Sequence, residues 1–451
     1  MKQEWRKYLG LRAPRYTSYP SALHFDEQVS AEDYGARLGE TALYEPLSLY
    51  IHVPFCKSLC WYCGCNMRVE NDYGRALRYV DALRREIALA GKALSGAGRA
   101  RSIHFGGGTP NFLKVEDLER VLDAIEAELG LTDSTSLAIE LDPRLIRNGD
   151  IDRLAALGFG RMSLGVQDFD AGVQAAINRV QRFELVESAV GEMRRVGLTD
   201  ISFDLLYGLP RQTLQSYKET LEETVALSPD RVAVFGYAHL PAALPNQRLI
   251  DEHSLPGAEL RADLALLADE MLVAAGYVRI GFDHYAKRDN PLARAARTGR
   301  LRRNFQGFTD DLSETTIGFG ASAISFVGEM YAQNAKTLGE YYACVEKGRM
   351  ATSRGLVLSP RERVIASAIR TFLCRSEVDI RPLLAAFAPR DANSICANLD
   401  KLEVDGVIRW NEDIVTLAPG ANILARVVAM ALDPYEAAIG CEQGRALAQA
   451  I

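Results

Sequence analysis

From residue 47 to residue 235 the chain alternates between two kinds of pattern. Short runs rich in β-branched and aromatic residues, the signature of strands, fall at 47–53, 101–105, 136–141, 161–166, 200–206 and 231–235. Between them, apolar residues recur at helical spacing over 72–94, 115–129, 183–196 and 213–227, with Gly or Pro near many of the ends. Strand and helix in strict alternation predict parallel βα units. The fold class expected is α/β: a partial (β/α)6 TIM-like barrel with an N-terminal arm and a small, mainly helical C-terminal domain. A doubly wound open sheet is the competing architecture, since periodicity does not separate the two. The barrel is preferred because each run ends in a polar or glycine residue, as six rims facing one site require. Beyond about residue 358, helical patterns at 360–373, 380–387 and 392–403 precede a hairpin at 407–417. The expected division is therefore an arm over 1–40, a catalytic domain over 41–350 and a C-terminal domain over 351–451.

Composition changes this picture little. Of 451 residues, 48% are apolar and 25% charged, and the net charge is -7, which gives no global bias toward nucleic acid or membrane. The opening residues lack the apolar core of a signal peptide and no apolar run approaches a membrane span, so a cytoplasmic protein with no membrane insertion and reduced cysteines is expected. From residue 355 onward there are 10 Lys plus Arg against 12 Asp plus Glu. Helices followed by a hairpin suggest a winged helix, but DNA binding needs a basic face, so a lid or packing role is expected there and no nucleic-acid partner.

The local charges say more. The first 25 residues carry Lys2, Arg6, Lys7, Arg12 and Arg15 interleaved with Trp5, Tyr8, Tyr16 and Tyr19. Such aromatic density is unlike a frayed tail and predicts an ordered arm suited to an anionic ligand.

The chemistry concentrates at Cys56, Cys60 and Cys63, which leave the first strand on one short loop. Zinc sites pair two C-x-x-C knuckles, or one knuckle with two histidines, to close a tetrahedron. No second knuckle exists: Cys344, Cys374, Cys396 and Cys441 are scattered singly, and His52 and His104 lie on strand runs without ligand spacing. Three thiolates on one loop suit an iron-sulfur cluster whose remaining iron has no protein ligand, and an open position on a metal is a catalytic feature. A zinc or disulfide loop is the competing reading. Cys65 extends the motif, but a ligand two residues from Cys63 would strain the loop, so it is not expected to bind. After the second strand, Gly106, Gly107 and Gly108 remove every Cβ, as a tight turn or a close backbone approach to a ligand needs. Successive strand ends offer Glu140, Asp142, Gln167, Asp168, Asp204 and His239. Singly these are more often caps or turn residues; together they form a ring of acceptors.

The spacing C-x3-C-x2-C, with Tyr62 before the third cysteine, resembles the signature of radical S-adenosylmethionine enzymes. Further runs narrow the likeness: R-Y-T-S-Y-P at 15–20, H-V-P-F-C at 52–56, G-V-Q-D-F at 165–169, D-L-L-Y-G-L-P at 204–210, Y-A-H-L-P at 237–241 and R-N-F-Q-G at 303–307. They are similar to the oxygen-independent coproporphyrinogen III oxidase family and span about residues 15 to 330. The resemblance implies one 4Fe-4S cluster on Cys56, Cys60 and Cys63, and two S-adenosyl-L-methionine molecules per turnover. It implies that Tyr50, Gly106, Glu140 and Ile324 contact the adenosylmethionine on the cluster. Tyr62, Gly107, Gly108, Gln167, Arg179, Asp204 and Ala238 are implied at a second one or its binding region. The implied reaction is anaerobic oxidative decarboxylation of two propionates of coproporphyrinogen III to vinyl groups by a 5′-deoxyadenosyl radical, giving protoporphyrinogen IX in haem biosynthesis. The implied enzyme is a monomer needing a low-potential reductant and an electron acceptor. The family's Tyr-Thr-Thr after R-N-F-Q-G is replaced here by Phe308-Thr309-Asp310-Asp311, and the C-terminal third matches more loosely. A haem chaperone of a related branch is a competing reading, disfavoured by Gly64-Cys65 and by the long arm.

One basic run remains, 287–303, with seven Lys plus Arg against Asp289. A radical enzyme acting on RNA would want stacking aromatics there, and none lies between Tyr285 and Phe305. Four propionates are the alternative anion. Arginine grips carboxylates through two parallel hydrogen bonds, so Arg303 is the expected substrate-carboxylate residue.

Overall fold

The computed structural model describes residues 2–434; Cys441 and the end of the expected C-terminal domain lie outside the described residues. Six parallel strands lie where the periodicity put them: β1 (Pro46–Val53), β2 (Arg99–Gly107), β3 (Leu131–Leu141), β4 (Phe159–Gln167), β5 (Ile201–Tyr207) and β6 (Arg231–Gly236). Beyond them come β7 (Tyr277–Ile280), β8 (His284–Lys287), β9 (Thr315–Phe319), β10 (Ile324–Val327), β11 (Met330–Asn334) and β12 (Thr352–Val357). The sheet order is β12-β11-β10-β9-β1-β2-β3-β4-β5-β6-β8-β7. Because β1 to β6 are neighbours in chain order, no strand order reverses within them. That rules out the doubly wound alternative, whose crevice lies at such a reversal. β9 is a seventh parallel strand, paired with β1 from Leu47↔Thr315 to Ile51↔Phe319, and it was not expected from the sequence.

Register explains the two faces of this sheet. Leu47, Leu49 and Ile51 on β1, Ile103 and Phe105 on β2 and Met162 and Leu164 on β4 are buried in one apolar cluster with Val80, Leu83 and Ile87 of α1 (Tyr73–Leu94) and Leu118, Val121 and Ile125 of α2 (Val115–Leu129). Each such aliphatic side chain contributes about 1.5–3 kcal/mol by leaving water. The alternate positions pair in rows across the opposite face: Tyr50↔His104, His104↔Ala138, Ala138↔Arg161, and Glu140↔Ser163. Buried parallel strands are usually apolar on both faces. Here the concave face is polar, the mark of a barrel interior used as a site.

A second apolar cluster joins the arm to the C-terminal helices. Trp5, Leu9, Tyr16 and Tyr19 pack with Ile365 and Phe372 of α3 (Pro360–Arg375), Ile395 and Leu399 of α4 (Pro389–Val404), and Val415 of the hairpin. The arm is thus ordered, as its aromatics predicted. Its cations are less available than expected, since Arg6 pairs with Glu259 at 2.8 Å and Lys7 with Asp405 at 2.6 Å. Among the described residues no helix is long and apolar enough to cross a membrane.

Candidate active site

Pro54 ends β1, and the chain re-enters a short strand, Phe55–Cys56, paired in parallel with Arg68–Val69. This pairing ties the base of the cysteine loop. Its tip is moored by side chains from elsewhere: Asn178 Nδ2 donates to the Leu59 carbonyl (2.7 Å), Asn246 Nδ2 to those of Trp61 (3.0 Å) and Cys63 (2.9 Å), and Gln247 Nε2 to that of Tyr62 (3.0 Å). Trp61 and Tyr62 pack against Ile177, Leu209 and Tyr237. The loop is therefore a fixed platform.

Cys56, Cys60, Cys63 and Cys65 line a cavity of about 750 Å³ together with Gly107, Gly108 and Thr109. Thr109 Oγ1 lies 3.2 Å from Cys56 Sγ, and the guanidinium groups of Arg144 and Arg179 each donate to Cys60 Sγ at 3.7 Å. Asp142 lies between the two arginines, 2.6 Å from Arg144 and 3.2 Å from Arg179. Burial works to raise the Asp142 carboxyl pKa, but Arg179 and Arg144 outweigh it and the net shift is downward. Burial pushes the Cys56 thiol up to about 12, while hydrogen bonds from Cys65 draw Cys63 down to about 7.

Thiols of this kind, facing one chamber with a buried and a half-buried cation at hand, fit an anionic thiolate-bound cluster. Among the described residues no three His, Cys, Asp or Glu side chains converge on a single metal-ion position. A cubane takes each thiolate on a different iron, so its ligands stand further apart than those of one ion.

A larger cavity of about 930 Å³ adjoins, lined by Tyr50, His52, Ile324, Arg302, Arg303 and the arm residues Tyr16 to Tyr19. Gly107, Glu140 and Cys65 border both chambers. The residues singled out in the sequence divide between the two. Tyr50 and Ile324 face the larger; Tyr62, Gly108, Gln167, Arg179, Asp204 and Ala238 face the smaller; Gly107 and Glu140 face both. Gly106 borders neither; a Cβ there would lie 2.8 Å from Glu140 Oε1. Gly107, at φ +117°, leaves no room either, its Cβ falling 2.6 Å from His52 Nδ1. These glycines therefore admit the protein's own side chains as closely as any ligand. Gln167, at φ +68°, holds a conformation rare outside glycine, as residues at functional sites often do. Burial and nearby Glu140 raise the Asp204 carboxyl to about 6.

Two rim acceptors turn out to be engaged by other side chains, one in the interior and one at the surface. Asp168 is buried and takes hydrogen bonds from Gln212 (2.6 Å) and Thr220 (3.0 Å), and His239 pairs with Glu252 at 3.0 Å. Arg303 borders the large cavity, but its Nε donates to the Tyr16 carbonyl (3.2 Å) and its Nη2 to that of Arg15 (3.0 Å). Its guanidinium lies against the rings of Phe282 and Phe308, at 4.8 and 4.5 Å, on one side of that edge-to-face pair, and Nη1 has no hydrogen-bond partner among the described residues. The other arginines of the basic run at 288, 294, 297 and 300 are exposed. At the sequence departure, Asp311 accepts hydrogen bonds from Ser102 and Ser313 and borders the large cavity. Sequence reasoning missed Arg144 and Arg161. The available signal for Arg161 was a cation on the same strand face as Ser163, opposite the apolar Met162 and Leu164.

Comparison with known proteins bears on this geometry. The radical SAM superfamily profile matches residues 50–224. The oxygen-independent coproporphyrinogen III oxidase of Bradyrhizobium diazoefficiens is 39% identical, over 94% of this chain and 95% of its own length. That of Pseudomonas aeruginosa is 38% identical over 95% of both. The solved structure of the Escherichia coli coproporphyrinogen III oxidase, a radical SAM enzyme, superimposes with a TM-score of 0.88 at 36% identity, covering 93% of this chain and 97% of that one.

Proposed function

This chain belongs to the oxygen-independent coproporphyrinogen III oxidase family of radical S-adenosylmethionine enzymes, and from that premise we propose that it decarboxylates two propionates of coproporphyrinogen III to vinyl groups, yielding protoporphyrinogen IX without oxygen. The observation that carries the proposal is the shared wall: Gly107, Glu140 and Cys65 face both the cysteine chamber and the large chamber. Chemistry begun at the cysteines then acts on a substrate held next door. At about 930 Å³ the large chamber is near the top of the roughly 300–1,000 Å³ range of small-molecule sites, as a tetrapyrrole requires.

Cys56, Cys60 and Cys63 would hold a 4Fe-4S cluster, which, given one electron from a low-potential reductant, would split bound adenosylmethionine into methionine and a 5′-deoxyadenosyl radical able to take hydrogen from the propionate β-carbon. Loss of the carboxylate as carbon dioxide, with one electron passed to an acceptor, would then leave the vinyl group. Tyr50, Gly106, Glu140 and Ile324 position the adenosylmethionine on the cluster; Tyr62, Gly107, Gly108, Gln167, Arg179, Asp204 and Ala238 serve a second one. Arg303 serves the substrate carboxylates, directly or through the arm it holds. The division into 1–40, 41–350 and 351–451 follows these duties, and the enzyme works as a cytoplasmic monomer. Arm, barrel and C-terminal helix α3 of one chain all line the large cavity, which supports the last point. A low-potential reductant primes the cluster.

The test is stoichiometry. With cluster-reconstituted protein and a chemical reductant under anaerobic conditions, two 5′-deoxyadenosines should form per protoporphyrinogen IX. Formation of 5′-deoxyadenosine that no substrate accelerates would refute the proposal.

A further inference from the structure

We infer that His104 and Arg161 form a positioning pair that sets the hydrogen-bonding form and the direction of the Glu140 carboxylate; this rests on the proposal that Glu140 contacts adenosylmethionine. Three adjacent strands build the pair. His104 on β2 is in register with Ala138 on β3, and Ala138 with Arg161 on β4. All three side chains therefore point to the barrel interior, and Glu140, two residues beyond Ala138, shares that face. Alanine is the decisive residue of the row. Its methyl group lets the side chains on either side meet above it, with Arg161 Nη2 3.3 Å from His104 Nδ1.

The guanidinium fixes the tautomer of the imidazole. It has only N–H donors and stays protonated, so the atom facing it must accept. His104 Nδ1 therefore carries the lone pair and Nε2 carries the hydrogen. Nε2 lies 2.9 Å from Glu140 Oε1, and donates to it. The second carboxylate oxygen, Oε2, takes the Gly107 amide at 3.3 Å. With both oxygens assigned, the carboxylate plane is set and its remaining lone pairs face the cavities. The ring of Tyr50 stacks on His104, 6.0 Å between centroids and 18° from parallel, which holds the imidazole plane as well. His104 is thus a positioning residue, since it acts through Glu140.

The test combines a spectroscopic readout with binding. Nitrogen-15 NMR of histidine-labelled protein without the cluster should show His104 with a protonated Nε2 and a bare Nδ1, and Arg161→Met should collapse this into a tautomer mixture. In cluster-reconstituted protein, His104→Phe keeps the stacking on Tyr50 but loses the donor. It should weaken adenosylmethionine binding about tenfold or more, the loss expected for a charged hydrogen bond, with an unchanged melting temperature. His104→Gln, which can still accept from Arg161 and donate to Glu140, should recover most of that loss. A wild-type His104 protonated on Nδ1 would overturn the inference. So would His104→Phe binding as wild type while Glu140→Ala binds weakly. If both variants bind as wild type, the assignment of Glu140 itself falls, and the inference with it.

Discussion

Replacing Arg303 by alanine separates two roles for one guanidinium. The Nε and Nη2 edge that would grip a carboxylate holds the carbonyls of Tyr16 and Arg15, and the cation lies against the rings of Phe282 and Phe308. A hydrogen bond from a charged donor is worth about 1.5–3 kcal/mol, and each cation–π contact about 0.5–1 kcal/mol or more. The freed carbonyls regain water, so the net loss in arm attachment is about 2–4 kcal/mol. At 1.4 kcal/mol per factor of ten, the detached state of this segment becomes roughly a hundredfold more populated. Trp5 and Leu9 stay buried against the C-terminal helices, so the release is confined to the segment near Arg303. Hydrogen exchange should show faster amides from about 14 to 20, and the KM for coproporphyrinogen III should rise tenfold to a hundredfold with cluster content and adenosylmethionine binding intact. Arg303→Lys keeps the charge but can reach one carbonyl at most. If it restores the KM without restoring amide protection, the charge acts on substrate directly. Wild-type KM and wild-type exchange in Arg303→Ala would refute both roles.

Three further outcomes are expected. Cys56→Ala, Cys60→Ala and Cys63→Ala should each lose the cluster and all activity, while Cys65→Ala should still be reconstituted; iron and sulfide analysis decides. Asp204, raised to about 6 from 3.8, disfavours its own ionisation in the fold, so its contribution is full below about pH 4 and is lost as pH rises through 6. Asp204→Asn should therefore match wild-type stability at pH 4 and exceed it at pH 8 by up to about 3 kcal/mol in chemical denaturation. Gly107→Val must place a Cβ 2.6 Å from His52 Nδ1 at a positive φ, so it should abolish adenosylmethionine binding and also lower the melting temperature.

The barrel was legible because its strands and helices keep clean periods and end at Gly or Pro; the helix expected at 115–129 is the one found. The strand Thr315–Phe319 was not. It carries Gly318 in a stretch rich in Gly, Ala and Ser, and it gains its place from pairing with β1 rather than from local preference. The cysteines were legible because all three lie on one loop. The chain Arg161–His104–Glu140 was not, because it exists only once three strands take a register with alanine between two polar side chains. Arg303 shows the same limit: its residue type pointed to carboxylates, while its partners are carbonyls of an arm nearly 290 residues away in sequence.

The central claim is most directly tested by counting carbon. Cluster-reconstituted protein, incubated anaerobically with coproporphyrinogen III labelled in its propionate carboxyls, adenosylmethionine, a low-potential reductant and an electron acceptor, should release two labelled carbon dioxide molecules for each tetrapyrrole bearing two vinyl groups. Release of none, with cluster and adenosylmethionine bound, would contradict the account.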